Sequence, residues 1–264
     1  MQSASDVMAT EFLAQLSEFQ DQGVLITGGG SGIGACLVTA FAARGAKVAF
    51  IDIDQAASEA LVERLSVTSL HSVTFVKADL RDQSQLAQAV ETAAKALGGI
   101  KVLINNAARD DRHDIDTVTS DYWDANHAVN LKPVFFVTQA ALPYLRFAQG
   151  ASIINFSSIS YLLNMGELPA YATAKAGIIG LTKSLAGRLG PENIRVNAIL
   201  PGMIVTERQR ELWLTDASIS QTVARQCLKR TLIADDLVGP CLFLASSASA
   251  AMTAQTLIID GGLL

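Results

Sequence analysis

The stretch GVLITGGGSGIGACLVTAFAARGAKVAFIDID, residues 23–54, limits what this chain can fold into more than any other part of it. An apolar run leads into a glycine-rich turn, an apolar helical stretch follows, and a second apolar run ends in Asp52. Parallel strands need such a crossover helix between them, and a strand covered by helices on both faces reads as unbroken hydrophobic residues. The turn fits two registers. Gly28, Gly32 and Gly34 follow G-x3-G-x-G, and Gly30-Ser31-Gly32-Ile33-Gly34-Ala35 satisfies G-x-G-x-x-A. In either one, missing Cβ atoms let the backbone turn tightly and approach a pyrophosphate, with the helix N-terminus facing the anion. Asp52 stands 18 residues after Gly34, where an acid binds the ribose 2′-hydroxyl of a dinucleotide. Its carboxylate would repel a 2′-phosphate, and no arginine or lysine occurs between Thr27 and Ala43. NAD is therefore expected over NADP.

The alternation continues along the chain. Strands are expected at 23–27, 47–52, 72–79, 101–108, 151–158, 194–202 and near 255–262, with helices at about 32–45, within 55–65 and 83–97, from about 121 to 147, and over 169–190. That order predicts an α/β fold: a doubly wound parallel sheet with helices on both faces. No linker or repeat divides it, so residues 23–264 read as one catalytic domain and residues 1–22 as a polar N-terminal extension. Residues 203–230 interrupt the rhythm and read as a flap over a substrate, with Trp213 and Leu214 as apolar cover.

Bulk properties exclude several classes. The chain has 264 residues, half of them hydrophobic, and a net charge of −5. An acidic chain without lysine or arginine clusters is not expected to bind nucleic acid or an anionic membrane. No apolar run reaches the roughly 18 residues of a membrane span. No basic stretch followed by an apolar one marks a signal peptide, and three scattered cysteines read as reduced thiols, so a cytoplasmic location is expected. No cluster has metal-ligand spacing, and no metal is expected.

Tyr171 and Lys175 lie four residues apart on the 169–190 helix, on one face. A free phenol, with a pKa near ~10, is a poor base. An ammonium about 4 Å away at an effective dielectric near ~20 would favour the phenolate by roughly 4 kcal/mol. The pair is expected to act as a general base. Asp79, ending the third strand, is a candidate acceptor for the adenine amino group, and the small residues of Asn105-Asn106-Ala107-Ala108 leave room for a ribose at the end of the fourth.

Taken together, TGGGSGIG, Asp79-Leu80, Asn105-Asn106-Ala107, Asn130, Ser158, Tyr171-x3-Lys175 and Pro201-Gly202 with Thr206 resemble the short-chain dehydrogenase/reductase family over roughly residues 20–264. The resemblance implies that Tyr171 is the base, that Lys175 lowers its pKa and holds the nicotinamide ribose, and that Ser158 orients the reacting oxygen. It implies that Asn130 holds a water on a proton path. The implied cofactor contacts are Gly28, Gly30, Ser31, Gly32, Ile33, Gly34, Asp52, Ile53, Asp79, Leu80, Asn106, Ala107, Ala108, Tyr171, Lys175, Pro201, Gly202, Ile204 and Thr206. It also implies a homotetramer built on the long helices. Ala108 replaces the family's usual glycine.

A narrower likeness is carried by NNAARDDRHDIDTVTSDYWDANHAVNLKPVFF, SISY, RQRELWLTDA and ARQCLKR. These segments are similar to NAD-dependent aldose 1-dehydrogenases, in which hydride leaves C1 of a cyclic sugar and a lactone forms. Arg109 stands where those enzymes carry asparagine, and Tyr161 where they often carry tryptophan. Arg109, Ser158, Tyr161, Asn164 and Tyr171 are the expected sugar contacts, Tyr161 by stacking. Asn106, Asp110, Arg112, His113 and Glu167 add polar groups nearby. The competing readings are a 3-oxoacyl thioester reductase or another NAD-dependent hydroxy-compound dehydrogenase, and a non-catalytic nucleotide sensor.

Overall fold

The computed structural model describes residues 18–264. Seven strands, β1 (Gly23–Thr27), β2 (Lys47–Asp52), β3 (Thr74–Lys77), β4 (Val102–Asn105), β5 (Ser152–Phe156), β6 (Arg195–Pro201) and β7 (Thr256–Ile259), form one sheet in the order β3-β2-β1-β4-β5-β6-β7. Every neighbouring pair is parallel. The doubly wound α/β sheet expected from the alternation is the fold observed.

Two apolar layers hold it together. Val24 and Ile26 of β1 face α1 (Gly32–Ala42), α2 (Gln55–Ser66) and α9 (Val238–Ala245), through Leu37, Phe41, Leu61 and Leu242. Leu25, one residue out of phase, faces α3 (Gln83–Leu97), α5 (Lys132–Phe147) and α6 (Pro169–Leu189), through Leu86, Val137 and Ala186. Successive strand residues point to opposite faces, so a strand buried on both sides must be apolar throughout, as all five residues of β1 and of β5 are buried. Each large side chain so placed contributes roughly 1.5–3 kcal/mol.

The expected long helix from 121 to 147 is two helices. α4 (Ser120–Asn130) and α5 part at Leu131, whose φ/ψ of −124/−53 leave the helical region. Pro133, in the first turn of α5, explains the break: it has no N–H for the preceding turn, and its ring crowds that turn's carbonyl. The extension expected over 1–22 also needs correcting at its end. Residues 1–17 lie outside the described residues, but Phe19 is buried in the core, its ring edge-on to Phe41 at 5.0 Å. Its ring reaches α1 and closes that end of the core.

Strand order reverses between β1 and β4. The loops leaving these two strands diverge, and a crevice opens at their C-terminal ends, where such sheets bind ligands. The segment expected as a flap forms α7 (Glu207–Leu212) and α8 (Asp216–Arg225) above this crevice. It is anchored by the bridge from Ile204 to Leu232 and by the buried Gln226, which donates to the carbonyls of Leu228 and Arg230. Among the described residues, no helix is long and apolar enough to cross a membrane, and no group of three or more His, Cys, Asp or Glu could hold a metal ion.

Candidate active site

A cleft of about 1070 Å³ runs over the ends of β1, β4, β5 and β6. Small-molecule sites typically span ~300–1,000 Å³, so the cleft has room for a dinucleotide and a small second ligand. The glycine turn forms its floor. A Cβ on Gly34 would lie 1.8 Å from the Gly28 carbonyl oxygen, and one on Gly28 would lie 2.7 Å from Ala107 Cα. Gly28 also holds a φ of +67°. Only glycines allow a turn this tight, and it leads into the N-terminus of α1, an arrangement that fits a pyrophosphate. Asn106 pins the turn from beneath: its Nδ2 donates to the carbonyls of Thr27 and Gly28 at 3.1 and 2.9 Å. Thr27 Oγ1 accepts from the N–H groups of Asn106 and Ala107.

At the β2 end of the cleft, Asp52 Oδ2 accepts the Gly30 N–H at 2.8 Å. Ile53, Asp79 and Leu80 line the same end. The Asp79 carboxylate, expected to meet an adenine amino group, is held bidentate by Arg81, through Nε to Oδ1 at 2.9 Å and Nη2 to Oδ2 at 2.6 Å. Those hydrogen bonds hold Asp79 below its ordinary carboxylate range. Arg81, absent from the expected contacts, lines the cleft beside it.

At the other end, β5 delivers Ser157 and Ser158, and α6 delivers Tyr171 and Lys175. Lys175 is buried; its Nζ donates to the Phe156 carbonyl at 2.9 Å, and Ser157 Oγ donates to the Lys175 carbonyl at 2.7 Å. These two bonds lock one helical turn to the end of β5. Ser158 Oγ accepts from Ser160 N–H and opens the short 3-10 helix Ile159–Leu162. Asn130 is fully buried. Its Oδ1 accepts from Arg109 N–H, and its Nδ2 donates to the Arg109 carbonyl and to Asn126 Oδ1. Its side chain therefore shapes the loop after β4.

The electrostatics differ from the sequence expectation. The ammonium of Lys175 lies over the ring of Tyr171, 5.5 Å from its centroid. Burial pushes the Tyr171 phenol above its ordinary value, and Asp110 pushes the same way. The Ser158 hydrogen bond and Arg112 pull it down without prevailing. Burial also pushes Lys175 down to about 8, against the pull of Asp110. The i, i+4 spacing brings the two groups together, but low polarity disfavours both charges.

The loop after β4 and the α7–α8 segment line the cleft from two sides. Gln209 Nε2 of α7 donates to Asp110 Oδ2 at 2.8 Å, and the Arg112 guanidinium stacks over Trp213, 5.4 Å from the ring centroid. Leu214, Asn164 and Glu167 line the same space. Arg109 lines it too, with its guanidinium paired to Asp111. Tyr161 is a correction: it does not line the cleft. Its ring packs with Ile159, Ile179 and Leu263 against Ala198 and Leu200. In the 3-10 helix successive residues turn by a third of a revolution; Leu162 faces the cleft and Tyr161 turns to the core. His113 is also not on the cleft wall, for reasons given below. Pro201, Gly202, Ile204 and Thr206 are on that wall. A Cβ on Gly202 would lie 2.7 Å from Asp260 Cα, and Thr206 caps α7 by accepting from Gln209 N–H. Thr206 also faces the phosphate turn, with its Cγ2 3.5 Å from where a Gly32 Cβ would be.

A glycine-rich turn sharing one cleft with Ser158, Tyr171 and the buried Lys175 defines a nucleotide-dependent oxidoreductase. A family model described as enoyl-(acyl carrier protein) reductase matches residues 28–264. The chain is 61% identical over 249 residues to "Probable galactose dehydrogenase GalD" of Rhizobium meliloti, covering 94% of this chain and 97% of that one. It is 42% identical over 239 residues to D-xylose 1-dehydrogenase of Caulobacter vibrioides, covering 90% and 94%. A solved short-chain type dehydrogenase/reductase from Mycobacterium marinum superposes with a TM-score of 0.88 at 28% identity, over 95% of this chain and 98% of that one. The chain belongs to the short-chain dehydrogenase/reductase family, whose dehydrogenases act on CH–OH groups with a nicotinamide cofactor.

Proposed function

We propose that the protein oxidises C1 of a cyclic aldose with NAD and releases the lactone. The reading rests on one juxtaposition: Tyr171 and Ser158 share a cleft with the charged loop Arg109–Arg112. A buried donor or acceptor left unpaired costs roughly 1–3 kcal/mol, so a wall of this kind suits a ligand rich in hydroxyls and penalises an acyl chain. The likeness to relatives named for galactose and xylose supports the same class.

Asp52 supports NAD. Its carboxylate belongs to the phosphate turn and repels a further anion at that end of the cleft. Gly28, Gly30 and Gly34 would hold the pyrophosphate, Lys175 the nicotinamide ribose, and Thr206 the carboxamide. The nicotinamide ring, when bound, supplies a two-electron hydride acceptor and a fixed positive charge. Ser158 holds the C1 oxygen by a hydrogen bond. Tyr171 accepts the hydroxyl proton while the C1–H bond breaks with its electron pair, and C1–O becomes C=O. A phenol pushed up by burial is a strong base once ionised; the positive charge beside it is what makes ionisation accessible near neutral pH.

The test is the purified protein with NAD or NADP against a panel of aldoses, polyols and 3-hydroxyacyl thioesters. Expected are NADH formation on one or more aldoses and lactone detected by NMR. Turnover of thioesters only, or no turnover despite cofactor binding, would overturn the reading. We also propose that the chain forms a homotetramer through α5 and α6, whose exposed Phe135 offers apolar surface; light scattering on the eluted protein tests it.

A further inference from the structure

The helix that carries Tyr171 starts with a poor cap of its own. The first N–H groups of a helix have no intrahelical partner and are normally met by a Ser, Thr, Asp or Asn side chain at the N-cap. Here the N-cap is Leu168, with no side-chain oxygen, and the first helical residue is Pro169, with no N–H. The first donor is therefore Ala170, immediately before Tyr171.

Its acceptor comes from 57 residues away: His113 Nε2 receives the Ala170 N–H at 3.1 Å. A backbone N–H can only donate, so Nε2 must offer its lone pair and the ring proton must be on Nδ1. The surroundings of Nδ1 agree. It lies 3.0 Å from the Asp111 carbonyl oxygen and 3.0 Å from Tyr122 Oη, which is itself 3.2 Å from that carbonyl. Nδ1–H donates into this pair, and the Tyr122 hydroxyl donates onward to Asp111. The two rings pack at 4.9 Å. A second tie, from His113 N–H to the Glu167 carbonyl at 3.0 Å, fastens the loop to the segment just before the helix.

We propose that His113 is a positioning residue for Tyr171, serving as the missing helix cap from the loop after β4; this rests on Tyr171 being the base. The arrangement has two effects. It stops the first turn of α6, where Tyr171 is the third residue, from fraying. It also sets the loop's register against that turn, and with it Asp110 and Arg112, the charges that push the Tyr171 phenol in opposite directions. The imidazole reaches no substrate in this role.

Glutamine offers an acceptor oxygen near the Nε2 position, and leucine fills similar space with no acceptor, so His113→Gln and His113→Leu separate capping from packing. The chain has three histidines, so their nitrogen-15 resonances can be assigned by loss of one set in His113→Gln. Expected at neutral pH is an unprotonated Nε2 and a protonated Nδ1 for His113. Ala170 amide exchange should accelerate by about 5-fold or more in His113→Leu, and return most of the way in His113→Gln. With an aldose as substrate, kcat should fall about 10- to 100-fold in His113→Leu, recover in His113→Gln, and leave cofactor Kd unchanged in both. A proton on Nε2, or a glutamine variant no better than leucine in amide exchange, overturns the assignment. If no aldose is turned over, the aldose reading falls, while the tautomer and exchange measurements still decide this one. If His113→Leu does not fold, the wild-type tautomer and the glutamine variant decide it.

Discussion

The carboxylate of Asp52 and the backbone N–H of Gly30 are joined by a 2.8 Å hydrogen bond, so the acid ending β2 is built into the phosphate turn. Asparagine can still accept that bond but carries no charge. Asp52→Asn should therefore keep the turn and lose the repulsion of a 2′-phosphate. The expected outcome is a rise of about 10-fold or more in the NADP:NAD ratio of kcat/KM, since like-charge contacts cost up to several kcal/mol. An unchanged ratio would mean that the charge does not set the preference.

The glycine turn makes a comparison within one chain. A Gly34 Cβ would sit 1.8 Å from the Gly28 carbonyl oxygen, whereas Gly187, in the exposed body of α6, has nothing within 4 Å. Gly34→Ala should abolish measurable cofactor binding by forcing the turn apart. Gly187→Ala should stabilise the protein by about 0.4–1 kcal/mol. Urea unfolding and cofactor titration of the two variants check both outcomes.

Removing the phenolic oxygen tests the chemistry. Tyr171→Phe keeps the ring against the Lys175 ammonium and removes the proton acceptor. A general base contributes about 10²- to 10⁴-fold, so kcat should fall by that factor while cofactor Kd stays within about 2-fold, a margin well below one factor of ten or 1.4 kcal/mol. Retained turnover would assign the base elsewhere.

Lys175 predicts a pH dependence of stability. Burial holds it at about 8 in the folded chain against the usual 10.5. Between those values the unfolded chain binds a proton that the folded chain has shed, so this group makes stability rise with pH across that window. Below about pH 8 both states are protonated, and the burial cost is felt in full. Lys175→Met lacks this term. The Tm of the wild type relative to Lys175→Met, without cofactor, should therefore increase between pH 8 and 10.5. A difference that is flat or falls with pH contradicts the buried ammonium.

The flap is latched to the loop after β4 by Gln209 and Asp110 at 2.8 Å. Gln209→Leu leaves Asp110 without that donor and frees α7. The substrate KM should rise about 5-fold or more, the effect of losing roughly 1 kcal/mol of hydrogen bonding, with cofactor Kd unchanged. Steady-state kinetics with saturating cofactor measures it.

Much of the fold was legible because its signals are local. β1 and β5 are unbroken apolar runs, the turn between β1 and α1 carries its glycines in sequence, and helices separate the strands. The break at Leu131 is legible from Pro133, which cannot continue a helix without breaking a turn. The site divides the same way. Gly28, Asp52, Ser158, Tyr171 and Lys175 line one cleft as their spacing suggests. Tyr161 and His113 were expected at the sugar, and the structure gives them to the core and to a helix cap. A single sequence shows that a residue is polar or aromatic, but not which way a 3-10 turn or a long loop aims it.

Taken alone, the order of residues determined the alternation of strand and helix, the position of the phosphate turn and the pairing of Tyr171 with Lys175 on one helical face. These follow from steric and periodic rules that act over a few neighbouring residues. Tertiary structure decided what no neighbour could: that Arg81 occupies the Asp79 carboxylate, that His113 caps a helix 57 residues further on, and that burial and Asp110 push the Tyr171 phenol up while Ser158 and Arg112 pull it down. Those outcomes depend on distance in space and on how much protein surrounds a charge, and both are set only when the chain has closed over the cleft.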